Sequence, residues 1–491
     1  MEKQIRRVGA VLTIAFLAVF GMLNWVQFFD AKSIAGNPAN RRATIAEYSI
    51  KRGDITTLDG ITIARSRETD GTLKYAREYP EGDLYGHITG FYSFIYGTAG
   101  IEAAYNDELL GDTGVVSVQD IGDKLFGSGE QGDDVKLTIH SELQQLAREQ
   151  LGAQEGAVVA LDPQSGEVRA MWSNPSYDPN PLASFDPGEA KKYRNTLDPN
   201  SPTSPLVRKA TSRSFPPGST FKVVTTAAAL ESGRYTPQST FRDPVELDLP
   251  LTDDTLTNFS KSACFDGVQI DLFRALVISC DTTYAILGLE IPDELRSTAE
   301  EFGFNEPIPF DLSTDVSTFP EIPDDEEPQR AFAGIGQGNV AATPLQMALV
   351  AAAVGNGGDV PRPRLVREIT DPSGGIVEKT SPETIGEAMS SETAEEVKKM
   401  MVQVVEDPSG TGTAAQIEGV DVAGKTGTAQ NVEGEAPHAW FIAFAPAENP
   451  QIAVSVLVEK GGTLGSEATG GQIAAPIAKA IIERDRELRG W

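Results

Sequence analysis

The stretch SFPPGSTFKVVTTAAALESG, residues 214–233, joins a helix start to a serine and a lysine three residues apart. Its two prolines and first glycine end the preceding segment, and the apolar run that follows predicts a helix over 219–232, closed by Gly233. Side chains at i and i+3 share one helical face, so the Ser219 hydroxyl can approach the Lys222 amine if Lys222 points inward. The alternative is an ordinary helix start followed by a solvent-exposed lysine, and the stretch alone does not separate the two.

Composition sets the broad class of the protein. The chain has 491 residues, of which 40% are hydrophobic, which is enough for a large core and two or three domains. Its 71 acidic and 41 basic residues give a net charge of -30. Such a charge repels a phosphate backbone, so no nucleic-acid partner is expected.

An uncharged run over residues 8–29 is long enough to cross a bilayer once as a helix. Three basic residues lie in the preceding segment, 1–7, and predict that this tail stays in the cytoplasm. A cleaved signal peptide would need a shorter apolar core and a small-residue cleavage site, and the run offers neither. We therefore expect an uncleaved anchor in the cell membrane, with everything after Asp30 extracytoplasmic.

The few cysteines and histidines make no recognisable metal site. Cys264 and Cys280 would lie outside the membrane, where a disulfide is permitted, and two buried free thiols are the alternative. Together with His87, His140 and His438 they match no metal-ligand spacing. No metal and no cofactor are expected.

The character of the sequence changes near residue 150. Residues 30–150 carry short mixed elements and are interpreted as a smaller, non-catalytic N-terminal domain of a pedestal or dimerisation type. From Gly156, apolar and polar residues alternate on both sides of DPQSG, which predicts a hairpin at the start of a second domain, 151–491.

Regular elements can be predicted in the second domain. Three apolar runs near the C-terminus, KTGTAQ, AWFIAFAP and IAVSVLVEK, are separated by short turns and predict neighbouring antiparallel strands. The acidic stretch 313–330 contains prolines and is expected to be a solvated loop. Further helical patterns cover 269–288, 343–356, 390–405 and 473–488.

Two further short motifs follow the opening stretch. ISCDTTY contains Ser279 and Asp281 in a Ser-x-Asp arrangement, and AGKTGTAQ contains the Lys-Thr-Gly-Thr run 425–428. Taken singly, the first is typical of a local hydrogen-bonding turn and the second of a strand entry with a solvent-exposed lysine.

Taken in order, Ser-x-x-Lys, Ser-x-Asp and Lys-Thr-Gly resemble the three signatures of penicillin-binding proteins and serine β-lactamases. The resemblance covers nearly the whole chain and is closest to the class B penicillin-binding proteins of actinobacteria. It implies an α/β (α+β) fold: a transpeptidase domain with a central antiparallel sheet flanked by helices, a smaller mixed N-terminal domain and one transmembrane helix. The other segments that carry the resemblance are 52–55, 85–111, 135–147, 334–348 and 437–446.

The resemblance implies a catalytic role for each motif. Ser219 would be the nucleophile, and because a serine hydroxyl needs a neighbouring base, Lys222 is the proposed base. Lys425 would act as a second cation that lowers the pKa of Lys222, and Ser279 would relay the proton to the leaving amine.

The third motif is expected to bind the substrate, the D-Ala-D-Ala end of a peptidoglycan stem peptide. By resemblance, the strand containing Gly427 lies along the edge of the site, and the hydroxyls of Thr426 and Thr428 hold the terminal carboxylate. The backbone N–H groups of Ser219 and Thr428 would form the oxyanion hole. An amine from a neighbouring strand would then resolve the acyl-enzyme into a cross-link.

Asp281 departs from the family pattern, which ends the second motif in Asn. An ionised Asp only accepts hydrogen bonds, whereas Asn also donates two. A carboxylate near Lys222 would also favour the charged lysine and oppose a base role. Asp281 could be held protonated, point away, or compromise turnover, and we expect activity to survive.

The favoured function is a membrane-anchored DD-transpeptidase of cell-wall synthesis and cell division, and a target of β-lactams. The roughly 120 residues before the hairpin look too few for a glycosyltransferase domain. Glycan polymerisation is therefore assigned to a partner, by family analogy a SEDS-type glycosyltransferase, and divisome proteins are expected on the N-terminal domain. The alternatives are a DD-carboxypeptidase, a catalytically impaired divisome scaffold or β-lactam-binding sensor, and, less favoured, a β-lactamase.

Overall fold

Two larger β-sheets organise the chain. The computed structural model describes residues 2–25, 42–111, 131–323, 325–430 and 435–491. In chain order, its helices are α1 (Glu2–Trp25), α2 (Arg42–Glu47), α3 (Gly86–Thr89), α4 (Ile101–Ala104), α5 (Asn106–Leu110), α6 (Ser141–Leu151), α7 (Asn180–Ala183), α8 (Pro187–Thr196), α9 (Lys222–Glu231), α10 (Leu272–Val277), α11 (Asp281–Glu290), α12 (Pro292–Glu301), α13 (Glu327–Gly334), α14 (Pro344–Gly355), α15 (Ser391–Glu406) and α16 (Ala475–Arg489).

The strands follow the same order. They are β1 (Ile55–Thr56), β2 (Thr62–Glu68), β3 (Tyr75–Glu78), β4 (Tyr92–Ser93), β5 (Gly97–Thr98), β6 (Asp134–Leu137), β7 (Gly156–Leu161), β8 (Val168–Asn174), β9 (Thr240–Arg242), β10 (Glu246–Asp248), β11 (Thr255–Thr257), β12 (Gln269–Asp271), β13 (Asp359–Pro361), β14 (Val366–Thr370), β15 (Ile376–Lys379), β16 (Thr384–Glu387), β17 (Ala423–Ala429), β18 (His438–Ala445) and β19 (Ile452–Val458). Single turns of 3-10 or π helix complete the description: Gly82–Leu84, Gly218–Phe221, Thr413–Ala415, Glu459–Gly461, Gly465–Glu467 and Gly470–Ala474.

The sheet of the second half is antiparallel throughout, in the order β17-β18-β19-β7-β8. β7 and β19 are buried along their whole length, which explains why GAVVAL and IAVSVLV are almost continuously apolar. Helices α6 and α16 pack against this sheet and against one another, and α14 and α15 form a second pair against it. The predicted hairpin, the three C-terminal strands and the expected fold class are confirmed.

β17 lies at the edge of this sheet and pairs with β18 on one side only. The 3-10 turn Gly218–Phe221 packs against β17. The fold therefore brings the opening stretch of the sequence to the strand that carries the Lys-Thr-Gly-Thr run.

The second large sheet draws on both halves of the chain. Its order is β15-β14-β6-β1-β2-β3, so two strands from the second half extend a sheet begun in the first half. One hydrophobic cluster likewise runs from Ile55 to Ile482. The boundary predicted at residue 150 does not coincide with a break in hydrogen bonding, and the division into domains stays a prediction.

A buried ion cluster stabilises the N-terminal part. Glu102 is fully buried and accepts from Arg52 Nε at 2.6 Å, from Arg77 Nε at 2.5 Å and from the Tyr79 hydroxyl at 3.2 Å. Burial alone would raise the pKa of Glu102, but the two guanidinium groups hold it below its ordinary value.

The helix predicted over 269–288 is wrong. β12 opens this segment, and two helices, α10 and α11, follow with a break at 278–280. At the break Ser279 has a φ of +62°, which no helix continues through. The apolar pattern was correct on both sides but contains no signal for a single residue in left-handed geometry.

Two other predictions need correction. Within 313–330, Ser317 and Phe319 are buried, and the Phe319 ring stacks on Phe221 with centroids 5.7 Å apart, so this stretch is not a solvated loop throughout. α13 also begins inside it, at Glu327.

The helix expected from residue 219 starts instead as the 3-10 turn Gly218–Phe221 and becomes α-helical at Lys222. The helices predicted near 343–356, 390–405 and 473–488 are confirmed as α14, α15 and α16.

The N-terminal helix fits a membrane anchor. Within α1, the segment Arg6–Trp25 is long and apolar enough to cross a membrane. Residues 26–29 of the predicted span lie outside the described residues.

Cys264 and Cys280 are joined in a disulfide. Asp243, which lies beside them, accepts from the backbone N–H groups of Cys264, Phe265 and Gly267 at 2.7–3.0 Å. Among the described residues, these two cysteines and Asp243 are the grouped side chains with metal-ligand chemistry. The two sulfurs are bonded to each other, and the carboxylate already accepts from three backbone N–H groups. The group therefore cross-links and stabilises residues 243–280.

The buried cluster predicts a large difference between two glutamates. Glu102→Gln should lower the free energy of unfolding by about 3–5 kcal/mol, because it leaves two buried guanidinium groups without their counter-charge. Glu78→Gln is the control: its partner Arg65 is about half exposed, so solvent screens the pair and its loss should change the free energy of unfolding far less. Denaturant unfolding of both variants checks this, and equal losses would contradict it.

Candidate active site

Glycines bring the Ser219 turn into contact with the edge strand. Gly218 has a φ of +53°, and a Cβ there would lie 3.0 Å from both the Ala429 Cβ and the Thr428 carbonyl oxygen. A Cβ on Gly427 would lie 2.9 Å from the Pro217 carbonyl oxygen. Only glycine permits this approach from both sides.

Further contacts fix the turn from outside. Trp440 of β18 donates from Nε1 to the Pro216 carbonyl at 2.9 Å, and the Gly218 N–H donates to Gly336 at 2.9 Å. Phe215 exchanges two backbone hydrogen bonds with Ala342. Half-buried Ser219 therefore stands on a turn tied to the sheet and to the segment between α13 and α14.

Lys222 points inward, which excludes a solvent-exposed lysine. Its side chain is fully buried, and Nζ donates to Asp281 Oδ1 at 2.7 Å and to the Ser279 carbonyl at 2.9 Å. Ser279 Oγ lies farther away, at 3.4 Å. Burial lowers the pKa of Lys222, although the Asp281 carboxylate opposes this shift.

Ser279 connects the two lysines. Its left-handed backbone lies in the break between α10 and α11, and its Oγ is 2.8 Å from Lys425 Nζ. Lys425 is fully buried in β17 and also donates to the Thr426 carbonyl at 2.9 Å. The pKa of Lys425 lies well below its ordinary value, first because of burial and second because of the charge on Lys222.

Asp281 does not point away from Lys222, so one of the three alternatives left open by the sequence is excluded. Its Oδ1 accepts from Lys222, and its Oδ2 accepts from the Phe259 backbone N–H at 3.1 Å. Both partners are donors, so an Asn here would turn its NH₂ group toward one of them. The carboxylate is the side chain that satisfies both contacts.

The Ser219 hydroxyl has no hydrogen-bond partner within the described part of the chain. Lys222, predicted as its base, directs its amine at Ser279 and Asp281 instead. No hydrogen bond within the described residues therefore competes with a substrate for this hydroxyl.

The threonines of β17 differ in their surroundings. Thr426 is nearly buried, and its Oγ1 lies 2.6 Å from the Oγ1 of Thr411. Thr428 is half-buried and faces Ala439 across the β17–β18 ladder. Contact between Gly218 and Thr428 brings the two backbones of the predicted oxyanion hole together, and that role stays a prediction.

The sequence interpretation missed several supporting residues. Thr411 lies in a glycine-rich turn, and nothing in its neighbours signals contact with Thr426. Asn258 accepts from the Thr282 N–H at 3.0 Å and so caps the start of α11. Its partner is 24 residues away, beyond the reach of local patterns.

Comparisons with known proteins agree with this geometry. Residues 156–483 match the family described as penicillin binding protein transpeptidase domain. Residues 52–135 match the family described as penicillin binding protein A dimerisation domain.

Relatives match over almost the full length. The chain is 38% identical to the peptidoglycan D,D-transpeptidase PbpA of Mycolicibacterium smegmatis, over 98% of both chains. A ceftriaxone acyl-enzyme complex of penicillin-binding protein A from Mycobacterium tuberculosis matches with a TM-score of 0.83 at 38% identity, covering 89% of this chain and 99% of that one. The D,D-transpeptidase domain of an Eggerthella lenta protein matches with a TM-score of 0.77 at 33% identity, covering 90% and 99%.

The resemblance inferred from the three motifs is thereby confirmed. A transpeptidase-domain match over more than half of the chain, with relatives above 30% identity over nearly all of it, establishes the family. The chain belongs to the penicillin-binding proteins and carries their transpeptidase domain.

Proposed function

We propose that this protein is a membrane-anchored peptidoglycan D,D-transpeptidase that works through an acyl-enzyme on Ser219. One observation carries the proposal: the turn that holds Ser219 leads directly into the buried Lys222, and Lys222 and the buried Lys425 share a single bridging hydroxyl, Ser279. Lys222 and Lys425 are both buried, and Asp281 is the carboxylate that contacts Lys222. This arrangement favours the loss of one proton near neutral pH, and a neutral amine is what activation of a serine requires.

The reaction follows from acyl-transfer chemistry. Ser219 Oγ attacks the carbonyl of the penultimate D-Ala while the lysine pair takes its proton. The C–N bond to the terminal D-Ala breaks, and the proton passes through Ser279 to the leaving amine. An amine of a second stem peptide then attacks the ester, forms the cross-link and returns a proton to Ser219.

Substrate binding is assigned to the free edge of β17. An extended peptide can add there as a further strand, and the hydroxyls of Thr426 and Thr428 with the cationic site behind them suit its terminal carboxylate. β-Lactams carry a strained amide and a carboxylate in similar positions. The ceftriaxone acyl-enzyme of the M. tuberculosis relative supports β-lactam binding here.

Membrane topology and cellular role are part of the proposal. α1 would anchor the chain with the 1–7 tail in the cytoplasm, and the folded parts would lie outside the membrane. We assign the protein to cell-wall synthesis during division. A SEDS-type glycosyltransferase and divisome proteins would dock on the N-terminal region that matches the dimerisation family.

A second candidate is a catalytically impaired scaffold or β-lactam-binding sensor. The observation that favours it is the 2.7 Å ion pair between Lys222 and Asp281, which stabilises the protonated lysine. This candidate requires that neither lysine can serve as base.

Covalent labelling distinguishes the two candidates. The purified full chain in detergent should form a stoichiometric adduct with a fluorescent penicillin, and peptide mapping should find it on Ser219. Ser219→Ala is the control and should show none. If the folded wild-type chain formed no adduct, the proposed transpeptidase would be contradicted and the catalytically impaired scaffold would remain.

The same preparation tests which acyl transfer occurs. With a stem peptide and an acceptor amine, the expected product is the cross-linked peptide, because the amine attacks the ester of the Ser219 acyl-enzyme. Release of D-Ala with hydrolysis only, even at high acceptor concentration, would identify a DD-carboxypeptidase instead.

Thr411 should act as a positioning residue for Thr426. Thr411→Val removes one short hydrogen bond of about 1 kcal/mol, so the second-order rate constant of acylation should fall about fivefold to tenfold. Thr411→Ser keeps the hydroxyl and should restore most of the rate. Thr413→Val, at an exposed neighbour, is the control, and equal rates for all variants would contradict the role.

A further inference from the structure

We propose that Asp311 is a positioning residue for Ser219: it anchors the segment 311–319 to the N-terminal part of the chain, and this segment holds the turn that carries the nucleophile. The proposal rests on the proposed function and adds to it a residue outside the three motifs. Contacts at both ends of the segment and along its length support it.

One end of the segment is fixed by the Asp311 carboxylate. Its Oδ1 accepts from the hydroxyl of Tyr105, which lies between α4 and α5 in the N-terminal part of the chain. Its Oδ2 accepts from the backbone N–H groups of Leu365 and Val366, at the start of β14. Burial and the neighbouring carboxylate raise the pKa of Tyr105, so this hydroxyl keeps the proton that it donates. One half-buried carboxylate thus joins three segments that are far apart in the sequence.

The middle of the segment is hydrogen-bonded to the residues that precede Ser219. The Asp315 N–H donates to the Thr211 carbonyl at 2.7 Å. Arg208 donates to the Ser313 carbonyl at 3.0 Å and to the Ser313 Oγ at 2.9 Å. Because of these contacts the segment is not a free loop, and the position of Asp311 contributes to the position of the residues that follow it.

The other end of the segment lies against the Ser219 turn. Thr318 exchanges two backbone hydrogen bonds with Ala341, at 2.7 and 3.0 Å. The buried Phe319 ring stacks on Phe221, with centroids 5.7 Å apart, and Phe221 is fully buried in the same 3-10 turn as Ser219. Because buried side chains are closely packed, a displacement of Phe319 would move the backbone that places the nucleophile.

The acylation step should be more sensitive to such a displacement than substrate binding. Ser219 Oγ must meet the substrate carbonyl in a near-attack geometry, and a shift of about 1 Å that starts far from the reacting atoms can lower the rate about 100-fold. Non-covalent binding is assigned instead to the free edge of β17. Loosening of the segment should therefore lower the rate constant of acylation and leave the dissociation constant of the non-covalent complex nearly unchanged.

Tyr105→Phe tests the proposal, because it removes the hydroxyl that holds Asp311 and keeps the ring. In the purified full chain in detergent, the rate constant of acylation by fluorescent penicillin should fall about threefold to tenfold, because one hydrogen bond to a charged group is lost. Tyr92→Phe is the control: it removes a tyrosine hydroxyl that contacts Glu47 at 3.4 Å in the same part of the chain, and it should leave the rate constant unchanged. Equal rate constants for the wild type and Tyr105→Phe, or an equal fall in both variants, would overturn the proposal.

A double-mutant cycle separates positioning from a general loss of stability. Phe319→Leu removes the ring stack at the other end of the segment. Its effect on the acylation rate constant should not add to that of Tyr105→Phe, since both substitutions act through the placement of one turn. Additive effects would show that the two ends act independently, which contradicts the proposal.

Hydrogen exchange gives a readout that does not depend on activity. In folded Tyr105→Phe, or in Asp311→Asn if the first variant does not fold, backbone N–H groups of residues 214–221 and 313–319 should exchange faster than in the wild type, and those of α16 should not. Unchanged exchange over 214–221 would overturn the proposal. A wild-type chain that forms no adduct on Ser219 would instead contradict the proposed function, and the exchange result would still decide whether Asp311 holds the turn.

Discussion

One electrostatic constraint governs the candidate active site: two lysine amines are buried around one carboxylate. Water cannot solvate them, so the protein must either pair each charge or remove one proton. Asp281 pairs with Lys222 and leaves Lys425 with neutral oxygens. Removal of one proton gives a neutral amine, which the proposed activation of Ser219 requires.

Three separate segments of the fold supply the two lysines and the serine that bridges them. α9 delivers Lys222, the break between α10 and α11 delivers Ser279, and the edge strand β17 delivers Lys425. Glycines at 218 and 427 let the turn and the strand meet without a side chain between them. The disulfide and Asp243 secure the segment whose Phe259 N–H orients Asp281. Chemistry at Ser219 therefore draws on contacts made far along the chain.

Many of the helices, strands and candidate site residues could be predicted from the sequence, and the predictions that were wrong have physical causes. Apolar periodicity is a local signal, so the hairpin after Gly156, the C-terminal strands and α14 to α16 were predicted correctly. The break at Ser279 depends on a single φ angle, and the burial of Phe319 depends on a ring contact with Phe221 from a distant segment. The three motifs predicted the residues that the structure brings together around Ser279, but not which lysine Asp281 contacts. That choice depends on side-chain directions, which spacing does not contain.

The pH dependence of acylation of the full chain by penicillin, from about pH 5 to pH 10, shows whether a buried lysine amine is neutral near neutral pH. Because the base must be neutral and burial lowers its pKa, the second-order rate constant should rise and reach its plateau well below about 10.4, the ordinary lysine pKa. A rate constant that is still rising through that value would mean that both amines keep ordinary pKa values. The constraint of one carboxylate for two buried lysines would then be contradicted.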